Sequence, residues 1–94
     1  MRRITLPTPT EDFDAREILK AQVSFAPERG YSVNDIRRAL RVLAALDGQE
    51  RLVLENDDWT FLNDRVSNAR WGRATAELLT LIESISNAID EPGK

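Results

Sequence analysis

The stretch from Arg51 to Trp71 constrains the fold more than any other part of the chain, because its pattern changes from strand to helix within a few residues. Residues 52–54, with the sequence LVL, are typical of a short buried strand. Asn56 can then cap a helix, while Asp57 and Asp58 favour the positive N-terminal end of that helix. The apolar stripe of this predicted helix comprises Trp59, Leu62, Val66 and Ala69.

The N-terminal part of the chain predicts a strand followed by a helix. Ile4 and Leu6 alternate with polar residues before Pro7, which suits a short half-buried strand. Thr8 and Glu11 stand at the N-cap and N3 positions of a capping box, so we expect a helix to begin there. Its apolar face comprises Ala15, Ile18, Leu19 and Val23.

A second helix is predicted from Val33 to about Leu46, after a loop in which Phe25 is expected to pack inward. Ser32 and Asp35 have the spacing of an N-cap and its N3 partner. Gly48 follows the helix where a left-handed C-cap would lie. The apolar stripe predicted to face the core comprises Val33, Ile36, Leu40, Leu43 and Leu46.

The last predicted helix runs from about Arg73 to Ile89 and presents an apolar face of small and branched residues. The chain is therefore expected to be mainly α (α+β), with four helices and a minor two-stranded ribbon in the order β-α-α-β-α-α. Its 94 residues suit one small globular domain, residues 1–94, with residues 1–2 and 91–94 expected to be flexible.

The composition excludes several classes of protein. With 41% hydrophobic and 31% charged residues, the chain is that of a globular domain, away from the regime of disorder. No run approaches the ~18 apolar residues of a membrane span. The start, MRRITLPTP, lacks the apolar segment of a secretory signal. We therefore expect no membrane association and a cytoplasmic location.

The chain has no cysteine and no histidine, which argues against an enzyme. No catalytic residue, cofactor site or metal site is predicted. The acidic residues between Glu55 and Asp64 lack the alternating ligands and the glycine of a calcium loop. We interpret them as groups that stabilise the start of a helix.

Three arginines of the second predicted helix, Arg37, Arg38 and Arg41, form a basic face beside its apolar stripe. Such a face can bind phosphates, and a DNA-binding regulator is therefore the alternative function. The net charge of −3 makes nucleic acid the less favoured partner. The same arginines can instead pair with an acidic protein surface, such as the Glu77 and Glu83 face of a second copy.

Two aromatic residues, Phe61 and Trp71, fall off the apolar stripe of their helix. Exposed aromatic side chains are frequent interface anchors, whereas a small helical domain can also cover them. The candidate interaction surface predicted from the sequence thus comprises Arg37, Arg38, Arg41, Phe61 and Trp71. The expected partner is a protein, and because surplus apolar surface in short chains is often covered by oligomerisation, a homodimer is one candidate.

The segment DIRRALRVLAALD, then LVLENDDWTFLNDRVSNARW, then a regular closing helix resembles small accessory proteins encoded among the head and tail assembly genes of tailed bacteriophages and prophages. The resemblance covers roughly Ser32 to Ile89 and carries over no functional residues. It implies a bacterial or phage setting, with the phage particle as an alternative location. The expected function is a non-enzymatic protein–protein interaction module that assists particle assembly.

Overall fold

The computed structural model describes residues 1–48, 51–69, 71–72 and 74–90. Residues 91–94, which the sequence analysis expected to be flexible, lie outside the described residues. The elements, in chain order, are β1 (Arg2–Ile4), α1 (Ala15–Ser24), α2 (Val33–Gly48), β2 (Leu52–Leu54), α3 (Asn56–Asn68), α4 (Ala76–Ser86) and β3 (Ile89–Asp90). The mainly α class and the order β-α-α-β-α-α are confirmed, and a short third strand follows them.

The sheet has the order β2-β1-β3, with both neighbours antiparallel to the central strand β1. The closing helix is shorter than predicted because it begins at Ala76, after the Thr75 cap, and ends at Ser86, and Ile89 lies in β3 instead. Asn87 caps that end, with its backbone N–H donating to the Glu83 carbonyl at 2.9 Å. Pairing with the free edge of β1 then satisfies backbone groups that further helix would have satisfied internally.

The core is formed by helices that contact one another and the sheet. α1, α2 and α3 touch pairwise, α2 and α3 also contact β2, and α4 packs on α3. The largest fully buried side chains come from all four helices and β2: Leu19, Val23, Val42, Leu46, Leu52, Leu62, Val66, Leu81 and Ile85. The layout places one face of each helix inward and leaves the outer face of α2 on the surface.

The start of α1 differs from the prediction. Asp14, not Thr8, is the N-cap, and its carboxylate accepts hydrogen bonds from the backbone N–H groups of Arg16 at 3.1 Å and Glu17 at 3.4 Å. The capping box at Thr8 and Glu11 is therefore wrong. The chain must first turn so that Phe13 packs against the core, and Asp14 is the next residue able to cap.

The start of α2 is as predicted, whereas that of α3 is displaced by one residue. The Asp35 backbone N–H donates to the Ser32 hydroxyl at 3.1 Å, which confirms the N-cap. In α3 the N-cap is Glu55, without a side-chain cap bond, and Asn56 is the first helical residue. The predicted Asn56 cap is therefore wrong, and the charges of the first turn stabilise this helix start instead.

Two loop predictions are also corrected. Gly48 is the last residue of α2, and Gly30 is the one glycine with positive φ in the described part of the chain, so the left-handed C-cap at Gly48 is wrong. Phe25 is exposed rather than packed inward. Tyr31 packs against the core at this end of the helices, with its hydroxyl donating to the Val23 carbonyl at 3.0 Å.

Candidate interaction surface

The face of α2 that meets the core is only partly the one predicted. Val33, Ile36 and Leu40 are 66%, 46% and 61% exposed. Leu46 of the predicted stripe is buried and Leu43 packs against the core, and the remaining buried residues of α2 are Ala39, Val42 and Ala45. Because α2 packs against α1, α3 and β2 together, the close approach favours small side chains such as Ala39 and Ala45 along part of the inner face, while Val33, Ile36 and Leu40 point outward. The helix thus has two apolar faces.

The exposed apolar residues form a continuous stripe, which we call the α2 outer face. It comprises Val33, Ile36, Leu40 and Ala44, all exposed. Their spacing of three, four and four residues brings them onto one side of a helix with 3.6 residues per turn. Helical geometry places Arg37 on one flank of this face, whereas Asp47 follows Ala44 in line with Ile36 and Leu40, at the C-terminal end of the stripe. The face is therefore apolar along its length, with a cation on one flank and an acid at its C-terminal end.

The predicted basic face is largely neutralised by acids at the start of α3. Arg38 donates from Nε to Asp57 Oδ2 at 2.8 Å and from Nη1 to Asp35 Oδ1 at 3.2 Å. Arg41 binds Asp58 through three contacts of 2.7 to 3.1 Å. These arginines hold α2 against α3, so their charges are matched within the chain.

These contacts also fix the charge states of both guanidinium groups. The hydrogen bond that Arg38 donates to Asp57 raises the pKa of Arg38 above its ordinary value, and the bonds that Arg41 donates to Asp58 do the same to the pKa of Arg41. Asp58 is buried, so Arg41 compensates a carboxylate that has little water around it. Both arginines therefore stabilise the contact between α2 and α3 through these ion pairs.

Arg37 differs from its two neighbours. It is exposed, and in the described part of the chain its guanidinium donates from Nη1 to the Asn34 side-chain oxygen at 3.3 Å. No acid is within ion-pair distance of it there. Of the three predicted arginines, Arg37 alone keeps a positive charge that described acids do not neutralise, and it borders the α2 outer face.

The two aromatic residues of the predicted surface are partly buried and pack against the core. The Phe61 ring lies 5.6 Å from the Tyr31 ring, centre to centre, in a tilted arrangement. The Trp71 indole N–H donates to the Val66 carbonyl at 3.3 Å. The contacts of these two rings are therefore with Tyr31 and with α3, whereas the hydrogen bond of Arg37 is with Asn34.

Trp71 instead lines a groove of about 470 Å³ beside the starts of α1 and α4. Its apolar walls include Phe13, Ile18 and Leu78, and Glu77 stands at its rim. A groove of this size can hold one or two apolar side chains of a peptide. Residues 70 and 73, which flank Trp71 in sequence, lie outside the described residues.

A second groove, of about 510 Å³, is lined by Arg3, Arg16 and Arg51 near β1. Arg16 donates from Nη1 to the Leu46 carbonyl, and the Asp14 carboxylate in the same groove caps α1. Arg16 and Asp14 are thus both engaged in holding α1 in place. The groove is a structural junction between α1, α2 and the sheet.

In the part of the chain that the structure describes, no three acidic side chains come together in a way that could hold a metal ion. No described helix has the length and apolar character needed to cross a membrane. Asp57 and Asp58 form ion pairs with Arg38 and Arg41.

The sequence pattern did not predict the α2 outer face, because Leu and Ile are more hydrophobic than Ala and were therefore assigned to the core-facing stripe. One signal was present: Ala39, Val42 and Ala45 form a second helical face with a spacing of three. Comparison with known proteins adds no relative, since no protein-family model, no curated protein and no solved structure matches the chain.

Proposed function

We propose that this chain is a small non-catalytic protein–protein interaction module, and that the α2 outer face is its docking surface. The observation that supports the proposal is the exposure of three large apolar side chains, Val33, Ile36 and Leu40, along one side of a helix whose opposite side is buried. A helix that is apolar on both sides is typical of one that is covered on both sides.

The arrangement of these residues matters more than their number. Single exposed apolar residues are common on protein surfaces, and Leu79 on α4, which is 58% exposed, is an example. On α2 the exposed residues are adjacent, so a partner helix or groove can cover them together. Covering apolar area contributes about 25 cal/mol per Å², which favours association.

The proposed setting is phage or prophage particle assembly, in the cytoplasm or within the particle. This part of the proposal is supported by the sequence resemblance over Ser32 to Ile89. An accessory protein of that kind acts by contacting other proteins, which agrees with a docking surface and with a chain that lacks cysteine and histidine.

The test is quantitative affinity purification from cells of the source organism with three forms of the protein. Leu40→Asp places a charge at the centre of the α2 outer face. Leu79→Asp is the matched control, because it makes the same change at nearly equal exposure on α4. We expect Leu40→Asp to lose proteins that both the wild type and Leu79→Asp retain. Identical sets of captured proteins from all three forms would refute the docking surface.

The alternative of a DNA-binding regulator gains no support from the described arginines of α2, because Arg38 and Arg41 are paired with acids. Arg37 would remain as its main phosphate contact. Duplex DNA binding at low salt that weakens several-fold in Arg37→Ala, and falls steeply as salt rises, would revive this alternative.

A further inference from the structure

We propose that the groove lined by Arg3, Arg16 and Arg51, which we call the arginine groove, binds a phosphate group that carries two negative charges. The groove shares no lining residue with the α2 outer face, so this site goes beyond the proposed function and does not depend on it. Three features support it: the charge of the groove, the origin of its arginines and the stiffness of the segment at its rim.

The arginine groove concentrates positive charge in a chain whose net charge is −3. Its described ionisable residues are the three arginines and Asp14. The Asp14 carboxylate already accepts the backbone N–H groups of Arg16 and Glu17 at the start of α1. Three cations and one anion leave a net charge of +2 among these residues. That charge complements a phosphate monoester, which carries about −1.5 to −2 at pH 7.

The three arginines come from separate parts of the chain. Arg3 lies in β1, Arg16 lies in the first turn of α1, and Arg51 directly precedes β2. The fold, rather than a basic run in the sequence, therefore brings them to one groove. Like charges that are brought together repel each other, and a bound anion removes that repulsion. A cleft lined by charges of one sign also concentrates ions of the opposite sign.

The donors of the groove suit phosphate better than carboxylate. Arg16 is held in place because its Nη1 donates to the Leu46 carbonyl. A guanidinium group carries five N–H donors, so a guanidinium anchored in this way can also bind a phosphate oxygen. Thr5 and Thr8 line the same groove and add hydroxyl donors. A phosphate monoester offers three strong acceptor oxygens to such a set, whereas a carboxylate offers two.

The rim of the groove is stiff, and the groove has room for more than a phosphate group. Thr8 lies between Pro7 and Pro9, and each proline fixes its own φ and restricts the residue before it. A stiff segment loses less conformational entropy when a ligand binds. The volume of about 510 Å³ is within the range of small-molecule sites, so an organic group attached to the phosphate can also be held.

The first experiment is an NMR titration of the ¹⁵N-labelled protein with methyl phosphate at about pH 8 and constant ionic strength. We expect a dissociation constant of about a millimolar or lower, with shifts at Thr5, Thr8 and Arg16 and none at Ile36 and Leu40. Dimethyl phosphate has one negative charge and should bind about tenfold more weakly. Succinate, a dianion without phosphate, should also bind more weakly. Equal affinities for these compounds, or no shifts around the groove, would overturn the proposal.

The decisive variant is Arg51→Gln, because Arg51 is exposed and forms no ion pair with a described residue, so its removal leaves the fold intact. We expect it to weaken methyl phosphate binding about tenfold. Arg29→Gln is the matched control, because it makes the same change at an exposed position that does not line the groove. Equal losses in both variants would show attraction by overall charge alone and would overturn the site. Arg16→Gln should also weaken binding, but it loses the bond to Leu46 as well.

The source of the phosphate group is decided by comparing inorganic phosphate with glycerol 3-phosphate and adenosine 5′-monophosphate in the same titration. Tighter binding of an ester than of inorganic phosphate assigns the groove to a small phosphorylated molecule. Equal or tighter binding of inorganic phosphate assigns it to the free ion. Both results support the site, provided that Arg51→Gln weakens the binding and Arg29→Gln does not. If none of the three compounds shifts the residues of the groove, the proposal fails.

Discussion

Asp58 is the one charged side chain that is buried among the described residues, and Arg41 binds both of its oxygens. The sequence predicted Asp58 as a helix-start acid and Arg41 as part of a binding surface. Both interpretations used only the spacing of residues within one helix and did not consider contacts between helices. The contact joins residues 17 positions apart and depends on how α2 crosses α3, which no local spacing specifies.

The unequal burial of the two groups leads to a prediction. Arg41→Met keeps the side-chain stem but leaves the buried Asp58 carboxylate without its cation, whereas Asp58→Asn leaves Arg41, which is half exposed, in contact with water. We expect Arg41→Met to lower the thermal midpoint by several degrees and by more than Asp58→Asn. Thermal unfolding followed by circular dichroism measures both.

Arg37→Met serves as the control for that comparison, because Arg37 is exposed and hydrogen-bonds an amide. We expect its midpoint to remain within about a degree of the wild type, since surface substitutions without such partners change stability little. Equal losses in Arg37→Met and Arg41→Met would show that the buried ion pair does not stabilise the contact between α2 and α3.

Among the helices, the cap of α1 provides a direct test of where an element begins. The Asp14 carboxylate accepts two backbone N–H groups, whereas Thr8, the predicted cap, is exposed and lies outside the helix. Asp14→Ala is expected to lower the free energy of unfolding by about 1 kcal/mol. Thr8→Ala should change it by no more than a few tenths. Urea denaturation of both variants decides between the two helix starts, and a larger loss in Thr8→Ala would favour the predicted one.

The contact between α1 and α2 carries a pH dependence through the ion pair of Lys20 with Asp47. The hydrogen bond to Asp47 raises the pKa of Lys20 above 10.5. A raised pKa of a cation means that its stabilisation is complete below the ordinary value and is lost as pH rises through the folded value. The wild type should therefore exceed Lys20→Met in stability at about pH 9 by a small margin that shrinks as the pH rises past 10.5 and through the folded pKa of Lys20.

Urea denaturation of both proteins across that pH range measures the margin. Glu17→Gln is a suitable companion, because Glu17 also lies near Lys20 but contributes less to its pKa than Asp47 does. A margin that is constant with pH would show that Lys20 stabilises the protein through its hydrocarbon stem alone.

How far the sequence predicts each element depends on whether its signal is local. The Ser32 cap and the β2–α3 sequence are set by neighbouring residues, and both lie close to their predicted positions. The inward face of α2 is decided by what packs against it, so a helix with two apolar faces could not be oriented from its own residues. The candidate site could not be predicted for the same reason, because the exposure of Val33 and Leu40 depends on how α2 packs against the other elements.

At the scale of the whole molecule, the two ends of the described chain meet at β1. This strand lies between β2 and β3, so residues from the start, middle and end of the chain form one sheet. Arg2 donates from Nη1 to the Ala88 carbonyl at 3.1 Å, and its guanidinium lies 4.4 Å from the centre of the Trp59 ring. The Trp59 indole N–H in turn donates to the Ile85 carbonyl at 2.8 Å. Loss of β1 would therefore release contacts to α3, β2 and the segment after α4 together.

Ile4 tests this coupling because it is the buried residue of β1, whereas its neighbour Thr5 is exposed. Ile4→Ala is expected to lower the free energy of unfolding by about 2 to 5 kcal/mol, as the loss of a buried branched side chain usually does. Thr5→Ala should stay within about 0.5 kcal/mol of the wild type. For a small domain, a loss of 2 to 5 kcal/mol is a large share of total stability.

The readout combines far-ultraviolet circular dichroism, which reports the helices, with tryptophan fluorescence, to which Trp59 contributes from beside Arg2. Because β1 joins both ends of the chain to the helices, the two signals should give coincident urea transitions in the wild type and in Ile4→Ala. A fluorescence transition that precedes the loss of helix in Ile4→Ala would mean that the sheet and the Trp59 contacts come apart while the helices persist. The helices would then form a cooperative unit of their own, and β1 would be an accessory to the fold rather than the strand that unites it.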